Sequence, residues 1–130
     1  MKLPFAICIA AFIVAGCVKH SQEEEAPVLT ASIAFLKPTS GDIFHKGDSI
    51  NIQAFVTAAQ ELHGFDLLIR KAGDASSYFF THIHDHGDTI RVNQSWLDTL
   101  SSPANLEAEL TIYLDHELHT QKATIGFKSQ

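Results

Sequence analysis

Histidine is where this chain concentrates its chemistry. All eight histidines lie beyond residue 16, and six of them fall in three short stretches. His82, His84 and His86 occur in Thr81-His82-Ile83-His84-Asp85-His86-Gly87-Asp88, His116 and His119 in Asp115-His116-Glu117-Leu118-His119, and His63 precedes Gly64. Asp85, Asp88, Asp115 and Glu117 are interleaved with them. On an extended strand, residues i and i+2 share a face and stand about 6.5–7 Å apart. Two imidazoles so placed can converge on one ion, with metal–nitrogen bonds of about 2.0–2.1 Å. His82 and His84 have that relation first, and His86 continues it for as long as the strand does. His116 or His119 can add a ligand from a neighbouring hairpin, and His63 another. No cysteine follows residue 17 and no methionine follows residue 1, so the soft ligands that Cu(I) needs are missing. Imidazole with carboxylate suits Zn²⁺, Cu²⁺ or Ni²⁺. No spaced run of carboxylates supports an all-oxygen Ca²⁺ loop. The same residues also fit a solvated acidic surface, or one whose histidines respond to pH near their usual pKa of about 6.5.

A zinc ion on three histidines with an open position can activate water. Here the ligands would sit on turns, and the sequence supplies no recognisable supporting shell. No Gly-x-Ser-x-Gly, His-Glu-x-x-His, phosphate loop or dinucleotide fingerprint occurs. Glu107 and Glu109 read as a strand face rather than an acid–base pair. The expectation is a protein that is not an enzyme.

The elements that must position these residues are strands. From Leu29 the chain alternates apolar and polar residues at period two and is cut by turn residues at short intervals, the pattern of an all-β sandwich. The expected strands are Ala31–Lys37, Asp42–Lys46, Ser49–Thr57, Gly64–Lys71, Tyr78–His84, Thr89–Gln94, Leu106–Asp115 and Lys122–Lys128. Leu106, Ala108, Leu110, Ile112 and Leu114 form one inward row, Ile50, Ile52, Ala54 and Val56 another, and Phe65, Leu67 and Ile69 a third. Ser95–Leu100 reads as one helical turn that carries Trp96 over an end of the core. In an antiparallel sandwich successive connections alternate between the two ends. The three histidine stretches lie two strands apart each time, so they fall at the same end. His45 falls at the other.

The run from Ile33 to Ile52, with Pro38-Thr39-Ser40-Gly41 and Gly47-Asp48 as its turns, resembles the opening of bacterial Ig-like and fibronectin-III-like domains. The resemblance implies an antiparallel sandwich of about seven or eight strands over residues 29–130, with the histidines in its B–C, C′–E and F–G connections. It implies a fold and no function. The chain departs from antibody-type domains: no cysteine pair links the sheets, and Trp96 is not on the third strand.

The N-terminus places the domain. Lys2 and an apolar run from Phe5 to Gly16 form a secretory signal, too short for a membrane span of about 20 residues. Val14-Ala15-Gly16-Cys17 resembles the bacterial lipobox. That resemblance implies cleavage before Cys17, acylation of Cys17, and a lipid-anchored protein of the bacterial cell envelope, with Val18 favouring the outer membrane. Several acyl chains, at about 0.8 kcal/mol per buried CH₂, make a durable anchor. Residues 17–28, with Glu23-Glu24-Glu25, form an acidic tether. The formal net charge is −6 at pH 7, which leaves no basic stripe for a nucleic-acid backbone. Two readings follow. In one, the loop end of the sandwich binds Zn²⁺ or Cu²⁺ through His82, His84, His116, His119, His86 and His63. In the other, the domain is an adhesion module for an envelope protein or glycan and the histidines are incidental. That second reading needs an exposed apolar patch near the same end, for which Phe79, Phe80 and Leu118 are the candidates.

Overall fold

The computed structural model describes residues 26–130; the expected signal, Cys17 and the expected tether as far as Glu25 lie outside the described residues. Eight strands follow in order: β1 (Ala31–Lys37), β2 (Ile43–Phe44), β3 (Ser49–Leu62), β4 (Phe65–Lys71), β5 (Ser77–Ile83), β6 (Gly87–Leu97), β7 (Ala104–Tyr113) and β8 (Thr120–Ser129). They form two sheets, one in the order β1-β3-β6 and the other β2-β8-β7-β4-β5. Every pairing is antiparallel except the two-residue contact of β2 with β8. The fold is an all-β sandwich, and no helix occurs among the described residues.

The inward rows expected from the alternation make the core. Ile50, Ile52, Ala54 and Val56 of β3 face Leu67 and Ile69 of β4 and Leu106, Ala108, Leu110 and Ile112 of β7, and all are essentially inaccessible to water. Among the described residues the buried core side chains lie between Ala31 and Phe127. On the outer face of β7, Glu107 and Glu109 accept hydrogen bonds from Arg70 at 2.6 and 3.0 Å, and Lys122 donates to Glu109 at 2.7 Å. The two cations hold Glu109 below the usual carboxylate range: the Lys122 hydrogen bond contributes most, against the opposing effect of burial. These carboxylates are therefore engaged in cross-strand pairs of the kind that stabilise sheets.

The structure corrects the helical turn at Ser95–Leu100. β6 continues to Leu97, with Ile50 opposite Trp96 and Ser49 opposite Leu97. Trp96 extends the inward row of Ile90 and Val92, which buries most of a large apolar side chain without a change of backbone. A bulge in β5 leaves Tyr78 without a partner on β4, and its ring stacks on Trp96 at 6.1 Å, closing one flank of the sandwich. After Leu97 the chain is held by Asp98 rather than by a helical turn. Its buried carboxylate accepts bonds from Ser129 Oγ and the Leu100 amide. Strand boundaries move elsewhere too. The second strand shrinks to Ile43–Phe44, and β3 runs on to Leu62 past an irregularity between Thr57 and Leu62, where Ala58-Ala59 breaks the alternation.

Candidate metal centre

Three connections meet at one end of the sandwich. The first, His63-Gly64, carries the chain from β3 in one sheet to β4 in the other. It is pinned to the end of β7: the His63 amide donates to Tyr113 O at 2.9 Å, and the Tyr113 amide donates to Gly64 O at 3.0 Å. Gly64 has φ +108°, and a Cβ there would lie 2.2 Å from the Ile83 carbonyl oxygen and 3.0 Å from His84 Cα. Only glycine lets the backbone of the first connection press against that of the second. The second connection, His84-Asp85-His86, crosses back from β5 to β6. The third is the β7–β8 hairpin. There the Asp115 carboxylate accepts bonds from the Glu117 and His119 amides, and Leu118 takes a left-handed φ of 65°. The hairpin carries His116 onto His63.

The result is a cluster of imidazoles. The His63 and His116 rings lie 3.8 Å apart between centroids, His63 and His86 4.9 Å, His84 and His86 4.5 Å, and His86 and His116 6.2 Å. His86 Nε2 is 2.8 Å from His84 Nε2, and His86 Nδ1 is 2.9 Å from Glu61 Oε1. A carboxylate can only accept, so Glu61 places the His86 proton on Nδ1 and leaves Nε2 with its lone pair. His84 Nε2 must then be the donor of the pair in the metal-free protein. Two nitrogens bound tetrahedrally at about 2.0–2.1 Å stand about 3.3 Å apart, so an opening of about half an ångström would admit an ion between them. His63 adds a nitrogen without a role. Its Nδ1 is buried and has no hydrogen-bond partner, an arrangement that costs free energy unless something binds there. Burial, then the neighbouring His116 and His86, hold the His63 pKa below the ordinary histidine value, which keeps the ring neutral and able to ligate. Ligand atoms of Glu61, His63 and His86 all lie within 4.8 Å of one another, and so do those of Asp115, Glu117 and His119. Either group could hold a metal ion.

The structure thus brings together four of the six expected histidines: His63, His84, His86 and His116. The other two are held by carboxylates. His82 Nδ1 lies 2.6 Å from Asp66 Oδ1, directly across the β4–β5 ladder, and Tyr113 donates its hydroxyl to Asp66 Oδ2 at 2.7 Å. That hydrogen bond to Asp66, with burial behind it, raises the Tyr113 pKa. His119 Nδ1 bonds Asp115 Oδ2, which raises the His119 pKa and lowers that of Asp115. A cleft of about 240 Å³ opens beside the cluster, lined by His63, His82, His84, His116, Tyr113, Asp115 and Leu118. His119 faces a separate groove with Ala26, Pro27 and Leu29. The three connections contain no Lys or Arg, so nothing among their own residues opposes a cation.

β5 ends at Ile83, so His84 is already in the crossing and meets His86 rather than His82. Glu61, Asp66 and Tyr113 were missed as members of the site. Glu61-Leu62-His63 does carry a signal, since Glu61 and His63 flank a fully buried Leu62 at i and i+2. Asp66 becomes visible only once the register pairs it with His82. No protein-family model matches this chain, and no curated protein matches it.

Proposed function

We propose that this is a lipid-anchored protein of the bacterial cell envelope whose sandwich domain binds a divalent transition metal without catalysing a reaction. The observation that carries the reading is that ligand atoms of Glu61, His63 and His86 lie within 4.8 Å of one another, with His84 Nε2 2.8 Å from His86 Nε2 and the His116 ring against that of His63. A surface that merely scattered polar residues would have no reason to leave the His63 Nδ1 buried and unbonded. Imidazole donors with one carboxylate favour Zn²⁺ or Cu²⁺ over hard cations. Anchoring rests on the lipobox and Cys17, and display at the outer membrane on Val18. Capture, delivery or sensing of the ion would all suit such a site.

The test is calorimetric titration of the whole untagged chain in detergent with Zn²⁺ and Cu²⁺, beside a His84→Ala/His86→Ala variant. The proposal expects a sub-micromolar step that the variant loses. A wild type that binds no tighter than free imidazole, or a variant that binds equally well, overturns it. Labelling with palmitate, lost in Cys17→Ala, tests the anchor.

The adhesion reading keeps one observation in its favour. Leu118 at the hairpin tip and Phe80 on β5 are 72% and 57% exposed. Phe79, by contrast, packs against the core and offers nothing to a partner. Two separated side chains make a poor patch for a protein or glycan, so the metal reading is the stronger.

A further inference from the structure

Three histidines at this end of the molecule share one arrangement. His86, His82 and His119 each present Nδ1 to a carboxylate, of Glu61, Asp66 and Asp115 respectively. Such a contact fixes the proton on Nδ1, orients the ring, and leaves Nε2 as the basic nitrogen, which is how outer-shell carboxylates prepare histidines for metals. For His86 the freed nitrogen points at His84, inside the cluster already described. For His82 the freed nitrogen belongs to no protein hydrogen bond among the described residues, and the ring lines the cleft. Asp66 is itself held by the Tyr113 hydroxyl, so the carboxylate cannot swing away from His82 without losing a second bond. A surface histidine that merely needed solvation would not require an anchor built from two further side chains on two other strands.

We propose that His82 is the anchor of a second, weaker divalent-metal position in the cleft, with Asp66 as its orienting carboxylate and Tyr113 holding Asp66 in place. This rests on the metal reading of the neighbouring cluster and extends it from one ion to two. His116 lines the same cleft and is the protein donor available to complete the position, while Asp115 on the same wall is engaged by His119 and two backbone amides. His116, in ring contact with His63, stands between the two positions. The His82 side chain is 52% exposed, so solvent would fill much of the coordination shell and the affinity would be lower than at the buried nitrogen of His63. A weaker position open to solvent, beside a tighter one that is partly enclosed, is the arrangement through which an ion can enter or be handed on.

The experiment is Zn²⁺ titration of the whole chain by calorimetry, repeated with Cu²⁺ under electron paramagnetic resonance to resolve distinct coordination environments. The wild type should take up two equivalents in a tight and a weaker step. His82→Ala should remove the weaker step alone. Asp66→Asn should weaken it about 10–100-fold, the range seen when an orienting carboxylate is lost, and Tyr113→Phe should weaken it less. Circular dichroism and an unchanged tight step show that each variant is folded. Uptake of a single equivalent by the wild type overturns the second position, and so does a weaker step that survives both His82→Ala and Asp66→Asn. Loss of the tight step in His84→Ala/His86→Ala with the weaker one intact would leave both readings standing. No effect of that double variant on either step would defeat the primary centre alone.

Discussion

Gly64→Ala is the sharpest perturbation that the geometry offers, because it attacks the approach of two connections without touching a ligand. The new Cβ would lie 2.2 Å from the Ile83 carbonyl oxygen, a separation that carbon and oxygen do not sustain, so one of the two backbones must move by about an ångström. The φ of +108° adds a backbone conformation that an L residue adopts only under strain, at about 1–3 kcal/mol. Overpacking against a fixed neighbour costs about another 1–3 kcal/mol. Together these give a loss of about 2–6 kcal/mol. With an unfolding entropy of about 2.1 cal/mol/K per residue over about 105 residues, the melting temperature should fall by about 10–25 °C. Movement of the first connection also carries His63 away from His84 and His86, so the tight metal step should weaken by more than tenfold even well below the melting temperature. Scanning calorimetry of the metal-free chain and a titration at 10 °C read the two effects separately. A fall of only 2 or 3 °C with unaltered metal affinity would refute the claim that Gly64 sets the spacing of the centre.

Other expectations follow from the same geometry. At free Zn²⁺ about 100 times the dissociation constant, binding to the folded state alone adds about 2.7 kcal/mol, which should raise the melting temperature by about 12 °C. That shift should disappear in His84→Ala/His86→Ala, and its persistence there would place the ion elsewhere. The Asp115–His119 pair has a defined pH window in the metal-free protein. The raised His119 pKa gives a stabilisation complete below about pH 6.5 and lost as pH rises through the folded value, while the lowered Asp115 pKa gives one present above about pH 4 and lost as pH falls through its own folded value. Proton NMR should therefore find His119 titrating above the ordinary histidine value and returning toward it in Asp115→Asn; no change in that variant would remove the pair from the account.

Much of this architecture is legible in the sequence because period-two alternation reports directly on which side of a strand faces the core. Leu106 to Leu114 and Ile50 to Val56 are buried where the alternation places them. The grouping of the histidines follows from counting connections, which needs no knowledge of side-chain geometry. The helical turn failed because Ser95-Trp96-Leu97 lies at the end of an edge strand, where local residue types say little about how far the ladder with β3 persists. Asp66 and Tyr113 stayed hidden for a related reason. Their bond to one another spans 47 residues and depends on the register of two strands, β4 and β7. Glu61 is not legible in the sequence because β3 outlasts the break at Ala58-Ala59 and delivers that side chain to the same end as His63.

The central claim is that imidazoles from separate connections close on one ion. X-ray absorption at the zinc edge of the chain loaded with one equivalent of Zn²⁺ measures this most directly. The account predicts a first shell dominated by nitrogen at about 2.0–2.1 Å, with the outer-ring scattering of at least three imidazoles, and the loss of that shell in His84→Ala/His86→Ala, which no longer holds the ion tightly. A shell of oxygens, or an imidazole count that the double variant leaves unchanged, would contradict it.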